Sequence, residues 1–139
     1  MPLPHVTVEY SANLETDVAP RALVDAVHDA VLSTGAFELG AARTRAERRD
    51  VYAIADRDPD NAFVAVRLRI GMGRDVETRK RASRAVMEAL LAVTAGVAER
   101  RGLALSVEIQ EIDDVATLRV NNLHARMKKK AAAAAGTHP

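Results

Sequence analysis

The feature that most constrains the fold is a strand–helix–strand pattern that occurs twice along the chain. Residues 6–10 alternate apolar and polar side chains, as a half-buried strand does, and residues 63–70 repeat this alternation. Each strand precedes a stretch with apolar residues at helical spacing, which ends near Gly35 in the first half. A strand–helix–strand unit of this length is typical of a parallel pair of strands.

The strand that completes each unit is predicted more sharply in the second half. There, residues 103–110 alternate cleanly, after a helix expected to run to Arg101. In the first half we expect short strands at residues 38–45 and 51–55, with a charged stretch from about residue 43 to residue 50 and a turn after the second strand.

Two such units side by side predict an α/β fold, built as an α+β sandwich in which two helices back a four-stranded sheet. The helices cover one face of the sheet, and we expect apolar residues on the other face, which favours an oligomer. One domain is expected over residues 1–127. Residues 128–139, rich in lysine and alanine, are expected to form a disordered or frayed tail.

Composition excludes several classes of protein. A length of 139 residues allows one core, and a net charge of +1 argues against a nucleic-acid-binding protein. No apolar run reaches the roughly 20 residues that a membrane span needs, and the start lacks a signal-peptide pattern. The absence of cysteine excludes disulfides and thiolate metal sites and fits a cytoplasmic location.

The histidines do not suggest a metal centre. No two of the four have the spacing of metal ligands, and we expect His28 to lie on the exposed side of the first helix. A G-x-S-x-G motif is also missing, which leaves a hydrolase of that type without support. We therefore predict no metal site.

Two groups of residues are candidates for binding an anion. Gly71 and Gly73 separate a strand from a helix, and Arg74 follows where a helix N-terminus already favours negative charge. The densest arginine cluster is the second group, and its members are Arg43, Arg45, Arg48 and Arg49. Guanidinium groups bind carboxylates through paired hydrogen bonds, although a solvated charged loop would also contain such a cluster.

The amino terminus is a candidate general base. A chain that begins Met1-Pro2 usually loses its methionine, which leaves a prolyl secondary amine. A free α-amine has a pKa of about 7.7–8.0, and an apolar pocket with nearby arginines lowers that value. Such an amine is a good proton acceptor near neutral pH, although Met-Pro is also simply a common start.

A set of short segments, in a shared order and spacing, resembles one known family. The segments are PHVTVE at residues 4–9, TGAF at 34–37, RTR at 43–45, AFV at 62–64, IGMGR at 70–74, ALSVEIQE at 104–111 and NNLHA at 121–125. From Pro4 to about Lys128 the chain resembles the 5-carboxymethyl-2-hydroxymuconate delta-isomerase family of the tautomerase superfamily.

The resemblance implies a tautomerase-like subunit that assembles as a homotrimer, with active sites near subunit boundaries. It implies an isomerase of homoprotocatechuate breakdown, an aromatic catabolic pathway, that needs neither metal nor organic cofactor. The substrate would be a small carboxylated 2-hydroxydienoate such as 5-carboxymethyl-2-hydroxymuconate, and the product its conjugated 2-oxo isomer.

The resemblance also assigns roles to individual residues. Pro4 corresponds to the family's catalytic proline, which acts as acid and base, and Arg43 and Arg74 correspond to its active-site arginines. Arg45 is a further candidate for binding a substrate carboxylate. His5 matches the family beside the proline and is a candidate for substrate binding or for packing alone.

The chain departs from the family pattern at its start, because Met1, Pro2 and Leu3 precede Pro4. Within the chain the nitrogen of Pro4 is a planar tertiary amide without basicity. Removal of Met1 would make Pro2 the working amine, whereas trimming before Pro4, or a different start, would restore the family arrangement. The alternative is a tautomerase-fold protein with altered activity, or none, that binds a small anion.

Overall fold

The computed structural model describes residues 4–136, so the candidate base Pro2 lies outside the described residues. The strands are β1 (His5–Ser11), β2 (Arg43–Arg49), β3 (Ala62–Gly71) and β4 (Leu103–Ile112). The α-helices are α1 (Pro20–Ser33), α2 (Val76–Val93) and α3 (Leu123–Gly136).

The four strands form one sheet in the order β2-β1-β3-β4. β1 and β2 are parallel, β3 and β4 are parallel, and the antiparallel pairing of β1 with β3 joins the two units. This arrangement confirms the predicted α+β sandwich of two β-α-β units.

The core lies between the sheet and the helices α1 and α2. Apolar positions of the central strands, Val6, Val8, Val64, Val66 and Leu68, are all at most 1% exposed. They pack against the buried stripes of the two helices, which are Leu23, Val27 and Val31 of α1 and Ala82, Val86 and Leu90 of α2. The helical stop expected at Gly35 is confirmed, because Gly35 has a φ of +71°, which favours glycine.

The uncovered face of the sheet differs from the prediction. It is polar rather than apolar: Glu9 pairs with Arg49 at 2.7 Å, and Arg67 pairs with Glu108 at 3.1 Å. The expectation of apolar residues on this face was wrong, because the alternation in each strand directs the apolar side chains toward the helices.

The strands of the first half also differ from the prediction. Residues 39–41 form a short 3-10 helix, and the charged stretch itself forms β2. Residues 51–55 do not form a strand, since Val51 is 96% exposed and Ala55 has a φ of +50°. β2 occupies the free edge of β1 as an edge strand, so its charged side chains remain in contact with water.

Helix α2 ends earlier than predicted, and helix α3 crosses the predicted domain boundary. α2 stops at Val93 rather than near Arg101, because Gly96 takes a φ of +85° and a short 3-10 helix follows at residues 97–99. At the other end of the chain, α3 continues across the predicted boundary at residue 127, and none of its residues is buried.

Candidate active site

Pro4 lies at the end of the sheet where several candidate residues meet. It is buried just before β1, and its carbonyl oxygen accepts a hydrogen bond of 3.2 Å from the backbone N–H of Arg43, the first residue of β2. Because β1 and β3 are antiparallel, the turn that follows β3 and leads to Arg74 lies at the same end. The fold thus brings Pro4, Arg43 and Arg74 to one end of the sheet.

Arg74 is held in a defined position between α2 and the loop after α1. Its guanidinium donates hydrogen bonds to the carbonyl oxygens of Gly71 at 3.3 Å and Ala36 at 3.4 Å. Its central carbon lies 4.6 Å from the centre of the Phe37 ring, within the range of a cation–π contact. Burial lowers the pKa of Arg74, but an arginine remains charged at neutral pH.

The turn before α2 does not offer the whole helix N-terminus to an anion. Gly73 has a φ of +104°, as a glycine turn allows, but the carboxylate of Asp75 caps the helix by accepting from the N–H of Thr78 at 2.7 Å. The cationic group available at this turn is therefore Arg74 rather than the helix end.

His5 and Arg45 lie together on the uncovered face of the sheet. A terminal nitrogen of Arg45 lies 3.2 Å from Nδ1 of His5, where it donates to an unprotonated ring nitrogen. Burial first, and then the charge of Arg45, lower the pKa of His5 below its usual 6.5. Further arginines lower it in the same direction, namely Arg43, Arg69 and Arg119. His5 is therefore neutral at pH 7 and acts as an acceptor.

The structure separates the four arginines of the predicted cluster. Arg48 faces the helices and pairs with Asp50 at 2.9 Å, whereas Arg49 pairs with Glu9 and Glu47. These two arginines are neutralised by their own neighbours. Arg43 and Arg45 are not in an ion pair with any of the described residues, so their charges are available to a ligand.

Two residues at this end were missed as functional candidates. The sequence analysis names Phe37 only within a matching segment, yet its ring stacks against the guanidinium of Arg74. Arg119 follows β4 in an irregular stretch where residue spacing has no predictive value, yet its charge acts on His5.

His28 also differs from its prediction: it is half-buried, and its Nδ1 lies 2.8 Å from the hydroxyl of Thr44 in β2.

The segment after β4 is tied back to this end of the molecule. The Asn121 side chain donates to the carbonyl of Gly40 at 2.9 Å and accepts from the N–H of Leu123 at 2.7 Å. A Cβ at Gly40 would come within 2.6 Å of the His124 ring, so only a glycine allows this close packing. Asn121 therefore has a structural role within the chain.

Within residues 4–136, no group of three or more histidine, aspartate or glutamate side chains has the geometry of a metal site. Across the same residues, no helix is both long enough and apolar enough to cross a membrane.

The arrangement is suited to binding and reacting an anionic substrate. Fixed guanidinium groups stabilise negative charge most strongly where water is partly excluded, and they do so without reorganising during a reaction. Arg43 and Arg74 approach the Pro4 end from β2 and from the turn before α2, respectively. Two cationic side chains at one end of the sheet are suited to binding a carboxylated molecule.

Comparison with known proteins agrees with this interpretation. A family model described as 5-carboxymethyl-2-hydroxymuconate isomerase matches residues 4–127. A 5-carboxymethyl-2-hydroxymuconate delta-isomerase of Escherichia coli is 35% identical over 126 residues, which are 91% of this chain and 100% of that protein.

Solved structures give the same result. A 5-carboxymethyl-2-hydroxymuconate isomerase from Deinococcus radiodurans R1 is 39% identical with a TM-score of 0.82, over 89% of this chain and 93% of that one. A second such delta-isomerase is 28% identical with a TM-score of 0.81, over 90% and 93%. A fused 4-OT symmetric trimer shares the fold alone, at 20% identity and a TM-score of 0.58 over 82% and 94%. These matches confirm the predicted family: the chain is an isomerase that belongs to the 5-carboxymethyl-2-hydroxymuconate isomerase family.

Proposed function

We propose that the protein converts a carboxylated 2-hydroxydienoate, such as 5-carboxymethyl-2-hydroxymuconate, into its conjugated 2-oxo isomer. The observation that carries this proposal is the meeting of Pro4, Arg43 and Arg74 at one end of the sheet. The substrate named here is the one in the names of the relatives. We further propose that the reaction belongs to aromatic catabolism in the cytoplasm.

The base in this proposal is the secondary amine of Pro4, once it is the first residue of the chain. A neutral amine takes the proton of the substrate 2-hydroxyl, and the resulting ammonium returns a proton to the carbon at the far end of the diene. The substrate O–H bond breaks and a new C–H bond forms, so the net change is the movement of one proton. The step therefore needs no oxidant or reductant. Support comes from the family match, which begins at Pro4, and from the burial of this residue.

The arginines bind and stabilise the substrate. Arg43 and Arg74 hold substrate carboxylates, and their charges favour the anionic dienolate that forms when the hydroxyl proton leaves. The same charges disfavour an ammonium ion beside them, so they keep the prolyl amine partly neutral near pH 7. Arg45 and His5 contribute to binding from the neighbouring sheet face.

The test of this function is the ultraviolet decay of 5-carboxymethyl-2-hydroxymuconate in the presence of purified protein whose first residue is Pro4. We expect decay far faster than in buffer, first order in enzyme, and unaffected by a metal chelator. Arg84→Ala, an exposed arginine of α2, provides a variant of matched charge that should keep the full rate. A rate equal to that of buffer, on folded protein, would refute the proposal.

We propose that the protein assembles as a homotrimer. The fused 4-OT neighbour is described as a symmetric trimer, and it shares this fold. The candidate subunit contact is the segment between β4 and α3. Its apolar side chains Val115, Leu118 and Val120 are 93%, 95% and 100% exposed in the single subunit. Apolar side chains this exposed, close together in one segment, are typical of an interaction surface.

Light scattering tests the assembly. We expect a particle of about three times the 15.0 kDa chain mass at micromolar concentration. Leu118→Asp is expected to shift the particle toward the monomer, because it places a charge in the subunit contact. Leu91→Asp, on the exposed side of α2, serves as the control and should leave the mass unchanged. A wild-type monomer would contradict the trimer.

A further inference from the structure

Two of the groups that hold Arg74 belong to one short loop. We call this loop, residues 34–42 between α1 and β2, the arginine loop. The carbonyl oxygen of Ala36 accepts a hydrogen bond of 3.4 Å from the guanidinium, and the centre of the Phe37 ring lies 4.6 Å from its central carbon. A movement of the arginine loop would therefore displace the contacts that orient Arg74.

The other half of the arginine loop is held by the start of α3. The Asn121 side chain donates a hydrogen bond of 2.9 Å to the carbonyl oxygen of Gly40 and accepts one of 2.7 Å from the N–H of Leu123, the first residue of α3. Nε2 of His124 lies 3.4 Å from a carboxylate oxygen of Glu38. Glu38 directly follows the residue whose ring supports the guanidinium, so the two sets of contacts are adjacent in the loop.

The packing of the arginine loop against α3 leaves no space for a side chain at Gly40. This residue is buried, and the three atoms nearest to an added Cβ would all belong to the His124 ring, the closest at 2.6 Å. The φ of Gly40 is not positive, so the backbone alone would accept alanine. The obstacle is therefore the His124 ring, which sets how closely the loop approaches the helix.

We propose that Asn121 and His124 are positioning residues of the isomerase reaction, which act on Arg74 through the arginine loop. This inference rests on the proposed function, from which it takes the role of Arg74 in stabilising the dienolate. A fixed charge stabilises the developing anion only from the correct place, and a displacement of about 1 Å is enough to slow a reaction substantially.

The first experiment compares Asn121→Ala with Asn122→Ala in protein that begins at Pro4. We expect Asn121→Ala to lower kcat for 5-carboxymethyl-2-hydroxymuconate about tenfold, with a smaller change in KM. Asn122 is exposed, and its side chain makes no hydrogen bond within residues 4–136, so its alanine variant should keep the wild-type kcat. A folded Asn121→Ala protein with the wild-type kcat would overturn the proposal.

A double-mutant cycle separates positioning from a general structural loss. In the Arg74→Ala background, Asn121→Ala should lower kcat by less than about threefold further, because the group on which it acts is absent. A further loss of about tenfold in that background would mean that Asn121 acts elsewhere, which contradicts the proposal.

Gly40→Ala tests the same contact from the side of the loop. Its methyl group collides with the His124 ring, so we expect kcat to fall about tenfold. His124→Ala removes the obstacle, so the double variant of Gly40→Ala and His124→Ala should have the kcat of His124→Ala alone. Additive losses would show that the two positions act independently and would count against the proposal.

A nuclear magnetic resonance signal of Arg74 provides a test that does not depend on turnover. The Phe37 ring displaces the resonance of the Nε–H above it, and Phe37→Leu gives the reference position. The displacement should shrink in Asn121→Ala and persist in Asn122→Ala. Wild-type protein that shows this behaviour but does not convert the dienol would refute the proposed function and keep the link from Asn121 to Arg74. An unchanged Arg74 signal in Asn121→Ala would refute the link.

Discussion

Replacing Arg74 with alanine is expected to lower kcat for ketonisation about 100- to 1000-fold while the protein stays folded. The guanidinium is held by the carbonyl oxygens of Gly71 and Ala36 and lies over the ring of Phe37, so it is already oriented before substrate arrives. It stabilises charge that develops only as the hydroxyl proton leaves. Its removal should therefore affect kcat as well as KM.

Two controls separate this chemical role from a structural one. Arg74→Lys keeps the charge but loses the paired donors, so we expect it to recover part of the rate. Circular dichroism and light scattering report whether Arg74→Ala keeps the native secondary structure and assembly. A folded Arg74→Ala protein with the wild-type kcat would show that the dienolate is stabilised elsewhere.

The second half of the fold was predictable because its polar and apolar residues alternate without interruption. β3 and β4 carry apolar side chains on the face toward the helices, and residues 103–110 matched the strand almost to its ends. In β2 the same rule failed. As an edge strand with water on its outer face, β2 carries charges on both sides, with Arg49 paired on one face and Arg48 on the other. When the neighbouring strand is unknown, a segment as charged as β2 indicates an exposed loop rather than a strand.

The candidate site could be predicted only in part, for a different physical reason. Pro4, Arg43 and Arg74 are distant in sequence, and it was the likeness to a known family that grouped them. From residue spacing alone, each arginine could equally have been an exposed surface charge with no role in binding. Arg119 had no such support, because it lies in an irregular stretch after β4 where residue spacing has no predictive value.

The other large effect concerns the amino terminus. Protein that begins at Pro4 is expected to turn over the dienol at least about 1000-fold faster than protein in which Leu3 remains attached. The amide nitrogen of an internal proline has no available lone pair, so it cannot take the hydroxyl proton. Protein that begins at Pro2 should also be slow, because two extended residues place its amine roughly 7 Å from the Pro4 nitrogen.

The measurement that tests the central claim most directly is the ketonisation rate of 5-carboxymethyl-2-hydroxymuconate on three preparations with amino termini verified by intact mass. The preparations begin at Met1, Pro2 and Pro4. Pro4→Ala in the shortest one is the control for the secondary amine. We predict a fast rate for protein that begins at Pro4, and rates near that of buffer for the two longer forms. A fast rate for the form that begins at Met1 would contradict a mechanism based on a prolyl amine.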